Sequence, residues 1–147
     1  MLFVVDSNIL FTYFWNDSVF RKIRVDDVKV ISPEFSLSEI KKHSSELMQK
    51  TSLSKDRFNS LKEELALKIS FVPLSEYASE FKKISSSAMH LPSEQAMAVI
   101  KDIDFLALAS KLNCPLWSND RLLKKLAAVE VLATGEILEI LSSAKDS

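Results

Sequence analysis

The chain has 147 residues, a formal net charge of −1, 47% apolar and 27% charged residues, and a single cysteine, Cys114. That is the sequence of one domain, able to bury about two thirds of its unfolded surface. These values exclude an internal disulfide, a cysteine-rich zinc framework and the basic surplus of a protein that coats nucleic acid by bulk charge.

In chain order, the apolar run Leu2-Phe-Val-Val5 reads as a strand buried on both faces. It lacks a basic leader and a cleavage site, so no signal peptide is expected. Asp6 follows, and a helix is expected over Ser7 to Trp15; the apolar stretch Ile9 to Trp15 is too short to span a bilayer. With a lone cysteine, this fits a cytoplasmic protein that makes no membrane contact. Val28 to Ile31 is the second strand. A helix over Ser36 to Lys50 opens on Ser36-Leu-Ser-Glu39, a capping-box pattern. Ser54 to Lys68 carries Phe58, Leu61 and Leu65 at helical spacing, with Ile69 continuing the stripe into the third strand, Ile69 to Val72. Glu76 to Ser87 carries Tyr77, Phe81 and Ile84 on one stripe, and Ser85 to Pro92 reads as the loosest loop. A helix over Asp104 to Leu112, a strand at Leu116-Trp117, a helix over Arg121 to Ala128, a strand over Val129 to Leu132 and a helix over Gly135 to Leu141 complete the chain. Ser142 to Ser147 is expected to be a disordered tail. The sole glycine, Gly135, excludes both the Gly-rich dinucleotide loop and the phosphate-cradling P-loop.

Short strands alternating with helices predict a single α/β domain over residues 1–147, three-layer α/β/α, with a mainly parallel five-stranded sheet. In such a sheet every strand ends on the same edge, where ligands bind. Asp6, Glu39, Asp102, Asp104 and Asp120 all fall at strand ends or in helices that start from that edge. Each has a structural explanation as a helix cap. Together they are a cluster of like charges that opposes folding unless a cation neutralises it. Carboxylate oxygens without a competing His/Cys set suit Mg²⁺ or Mn²⁺. His43 and His90 are read as non-catalytic, and Trp117 as core. Lys101, Arg121, Lys124 and Lys125 read equally well as a solvated helix face or as phosphate-positioning groups.

The ordered pieces Val4-Val-Asp6-Ser-Asn8-Ile-Leu10, Ser36-Leu-Ser-Glu39-Ile40, Asp102 to Ala109 and Pro115-Leu-Trp-Ser118-Asn-Asp120 span nearly the whole chain. They resemble the PIN-domain nucleases, a group that includes the VapC-type toxins of prokaryotic toxin–antitoxin pairs. The family's four acids fall on Asp6, Glu39, Asp102 and Asp120, with Asp104 an additional or competing ligand. The resemblance implies a PIN-like fold and a metal-dependent endoribonuclease using one or two Mg²⁺ or Mn²⁺ ions. Water attack would leave 5′-phosphate and 3′-hydroxyl ends. Asn8 and Ser118 would orient the carboxylates or a water; Lys101, Arg121 and Lys124, read from their position beside these acids, are the candidates for substrate phosphates. The implied partners are RNA, an antitoxin protein and a second copy of the chain. Tyr13, Phe14, Trp15 and Phe20 would offer aromatic surface for that dimer. Two departures stand out: Asn113 lies where the family often has glycine, and Ser118 where threonine is common, keeping the hydroxyl. A non-catalytic RNA- or protein-binding domain with a retained PIN fold is the alternative. A phospho-acceptor receiver domain is disfavoured, because Val72-Pro-Leu74 and Leu132-Ala-Thr134 occupy the places of its acidic and basic residues.

Overall fold

The computed structural model describes residues 1–23 and 28–146. Its centre is strand β1 (Leu2–Val5), which pairs in parallel with β2 (Lys29–Pro33) on one side and β4 (Leu116–Trp117) on the other. β3 (Ser70–Val72) adds to β2 and β5 (Val131–Leu132) to β4, giving a five-stranded parallel sheet in the order β3-β2-β1-β4-β5. The alternation of a strand explains the two cores. Phe3 and Val5 join a cluster with Tyr13, Phe14, Phe58, Leu61, Leu65 and Trp117, whereas Val4 joins Ile31, Leu106, Ala107 and Leu116. Each large side chain so buried contributes roughly 1.5–3 kcal/mol. The α/β class, the three layers and the parallel sheet are as expected.

The helices depart from expectation in several places. After α1 (Ser7–Phe11) the chain tightens into a 3₁₀ turn, Thr12–Phe14. A short α2 (Val19–Lys22), capped by Ser18, was not legible from periodicity. The expected helix from Ser36 to Lys50 is two helices, α3 (Phe35–Lys42) and α4 (Ser44–Thr51), separated at His43. α5 (Lys55–Lys68) starts on the Ser54 cap as expected. In place of a helix from Glu76 come two 3₁₀ turns, Leu74–Glu76 and Ala78–Glu80, and then α6 (Phe81–Ala88). α6 runs through Ser85 to Ala88, so the expected loose loop shrinks to Met89–Pro92. α7 (Ser93–Lys101) follows, unpredicted, and leads to α8 (Ile103–Leu112). α9 (Arg121–Leu126) stops short of Ala128, and the last strand holds only Val131 and Leu132 of the expected four. α10 (Thr134–Asp146) passes the expected end at Leu141; Ser147 lies outside the described residues. Among the described residues no helix is long and apolar enough to cross a membrane.

Tyr13, Phe14 and Phe20 are buried, Phe14 stacked on Phe58 and Phe20 on Trp117. Of the four aromatics expected to form a contact surface, only Trp15 is exposed, at 54%. The first helical region is therefore largely core, because its aromatics fill the space between the sheet and α5.

Candidate active site

The strand order creates the site. From β1 the chain moves outward through β2 to β3, then crosses back so that β4 lies on the other side of β1. The loops leaving β1 and β4 diverge, and the crevice between them is the usual ligand position in an open α/β sheet. Asp6 leaves β1 and Asp120 leaves β4 at this point.

Asp6 is buried and caps α1, its Oδ1 accepting from the Ile9 NH at 2.9 Å. The Ser118 hydroxyl, itself buried, lies close enough to the Asp6 carboxylate to favour its charged form. The same Ser118 Oγ accepts the backbone NH of Asp120 at 3.1 Å, and Asp120 caps α9 through the Leu123 NH at 3.0 Å. One hydroxyl thus lies between the first acid and the turn that carries the last. Asp102 stands at the joint between α7 and α8, outside helical geometry (φ −103°, ψ 22°), and its side chain caps neither helix. Its carboxyl is therefore free to face the crevice.

Burial pushes the Asp6 carboxyl above its ordinary value, and Asp120 pushes it further, against the lowering effect of the Ser118 hydroxyl and the Ile9 hydrogen bond. Burial also pushes Asp102 up to about 6, with Asp6 and Asp120 adding repulsion and Lys101 partly opposing it. Asp6, Asp102 and Asp120 are thus within electrostatic reach of one another. As placed, no three His, Cys, Asp or Glu side chains among the described residues stand close enough to share one ion.

The remaining expected residues are placed less directly. Glu39 lies on α3, which packs against α1, and its carboxylate faces His43 Nε2 at 3.5 Å. His43 in turn meets Glu46 through Nδ1 at 3.3 Å. The expected capping box does not form: α3 begins one residue earlier, and the Ser36 hydroxyl bonds the Pro33 carbonyl at 2.7 Å. Ser32 bridges Ser36 to the Val5 carbonyl, so a buried hydroxyl pair fastens α3 beside Asp6. Asp104 accepts a hydrogen bond from the Tyr77 hydroxyl at 2.7 Å. Asn8 is exposed and makes no side-chain hydrogen bond among the described residues. Lys101 and Arg121 are exposed near the acids, whereas Lys124 is paired with Glu136 on α10.

Tyr77 explains the broken helix before α6: its ring is fully buried and its hydroxyl is anchored to α8 through Asp104. Asp104 has a structural task that Asp102 lacks. Tyr77→Phe should therefore destabilise the fold by about 1 kcal/mol, measured by urea unfolding, while leaving catalysis intact. Asp104→Asn should likewise keep measurable activity. Sequence reading also missed Asn119, whose Oδ1 accepts the Thr134 NH at 2.9 Å. The Ser-Asn-Asp sequence that follows β4 was the available signal, since Asn at a turn commonly bonds backbone.

Two solved structures share the fold. FitAcB from Neisseria gonorrhoeae aligns with a TM-score of 0.58 at 16% identity, over 90% of this chain and 96% of that one. FitAB bound to an IR36 DNA fragment aligns with a TM-score of 0.53 at 14% identity, over 90% and 94%. No curated protein sequence matches the chain. A family model described as the PIN domain matches residues 4–139, a span that begins at the central strand, contains every acid of the crevice and ends within α10; the chain belongs to the PIN-domain family.

Proposed function

We propose that the chain is a metal-dependent endoribonuclease, in a family whose members are generally nucleases. What supports the reading is the mutual repulsion of Asp6, Asp102 and Asp120 beside the strand-order switch, with none of them in an ion pair among the described residues. Three mutually repelling carboxylates, one of them buried, oppose folding of the bare protein and suit a site that takes up positive charge.

The donor set is all oxygen, as Mg²⁺ or Mn²⁺ prefers. Asp6, Asp102 and Asp120 would hold the ion after drawing together, with Glu39 reaching in from α3. When bound, such an ion lowers the pKa of an adjacent water and offsets charge that develops on a phosphodiester. The protein's own part is orientation. The Ile9 NH holds Asp6 in place, and Ser118, beside Asp6, holds the turn that presents Asp120. Lys101 and Arg121 would meet phosphates, while Lys124 is engaged with Glu136.

RNA should be cleaved only with divalent metal present, giving 5′-phosphate ends, since no histidine is placed among the three acids to activate a 2′-hydroxyl. Cyclic 2′,3′-phosphate products would refute the mechanism. Persistent inactivity across diverse RNAs and metals would favour the non-catalytic binding domain instead. An antitoxin protein and a second copy of the chain are the proposed protein partners, carried by the family resemblance. Light scattering at micromolar concentration should show twice the 16.6 kDa chain mass; a monomer mass at every concentration would rule the dimer out.

A further inference from the structure

We propose that Asn119 is a positioning residue that sets where Asp120 stands, through the amino-terminal turn of α10. This rests on the reading of Asp120 as a metal ligand. Asp120 leaves a weak part of the sheet. β4 and β5 hold two residues each, and the last bond between them runs from the Ser118 NH to the Leu132 carbonyl at 3.0 Å. Beyond that point the chain is exposed.

Side chains take over where the ladder stops. Asn119 Oδ1 accepts the NH of Thr134, the first residue of α10. The Thr134 hydroxyl accepts from Nε1 of the buried Trp117 at 2.9 Å, so this acceptor point is fixed from the core. On the far side of Asp120, Lys124 pairs with Glu136, which also accepts the Ala133 NH at 3.1 Å. The turn carrying Asp120 is thus held at both ends to one rigid helix start.

Asn119 and Thr134 meet at the surface, where water can satisfy the Thr134 NH if the side chain is shortened. Loss of the bond leaves the fold almost unchanged and releases the direction of Asp120. Partners that orient metal ligands typically change metal affinity by about 10–100-fold.

The test uses Mn²⁺ calorimetry and amide hydrogen exchange on the full chain. Asn119→Ala should weaken Mn²⁺ binding about tenfold and speed exchange of the Thr134 amide in metal-free protein. Asn119→Asp, which keeps the acceptor oxygen, should restore the protection of that amide. In an Asp120→Asn background, Asn119→Ala should weaken binding no further, because its effect runs through Asp120. Unchanged Mn²⁺ binding by Asn119→Ala, or the same additional loss in the Asp120→Asn background, would overturn the inference. A wild type that binds no Mn²⁺ would overturn the site reading and the inference together.

Discussion

Asp102→Asn should abolish cleavage while making the metal-free protein more stable above pH 6. Burial and the neighbouring acids push Asp102 up to about 6 from an ordinary value of 3.8. Between those two values the folded state binds more protons than the unfolded state, so stability falls as pH rises. Below the ordinary value both states are protonated and the penalty is absent; above about 6 it is fully present. One pKa unit corresponds to about 1.4 kcal/mol, and solvent screening in an open crevice leaves a net effect of about 1 kcal/mol. For a chain of this length that is a rise in Tm of about 3 °C. The amide removes the penalty and, with it, a charged ligand, so cleavage should fall below detection. A variant that is both less stable and still active would show Asp102 to be structural. If Asp104→Asn were the inactive one, the family's third acid would have to be moved by two residues.

Asp6→Asn combined with Asp120→Asn should eliminate Mn²⁺ binding measured by calorimetry. These two acids come from the two loops that diverge at the strand-order switch, and Ser118 lies beside both. Asp102 must give up its proton to serve beside them, so wild-type affinity should rise with pH and level off above about 6. Equal Mn²⁺ binding by the double variant and the wild type would sink the site assignment.

Asp6 and Asp120 stand out in sequence because two signals coincide at each: a strand's end and a helix's start. Asp6 and Asp120 cap α1 and α9 and also face the crevice, so the structural and functional readings of a strand-end aspartate do not compete. Ser36 shows where a local pattern fails. Ser-x-x-Glu reads as a cap, but the Ser36 hydroxyl turns back to Pro33 and to Ser32, which is itself bound to β1, and α3 starts at Phe35. Tyr77 shows the same override: its stripe is helical in sequence, yet the hydroxyl's anchor on Asp104 breaks the helix before α6. α7 was overlooked although Pro92-Ser-Glu94 is a serviceable helix start. What no local signal carried was the coupling of Asp102 to Asp6, which depends on the crossover that sets β4 beside β1.

That crossover also orders assembly in time. The first strand in chain order, β1, is the central one. Its register with β2 joins Leu2 to Lys29, 27 residues on, whereas its register with β4 joins Val4 to Leu116, 112 residues on. Closing the longer loop costs about 1 kcal/mol more in chain entropy. The half containing β1, β2 and β3 therefore has the easier path to form, with one flank of its central strand still unpaired. The Asp120 turn can reach Asp6 only after that flank is filled. A chain cut between Asp102 and β4 carries Asp6 and Asp102 but lacks the turn that presents Asp120, so the crevice closes only once β4 is in place.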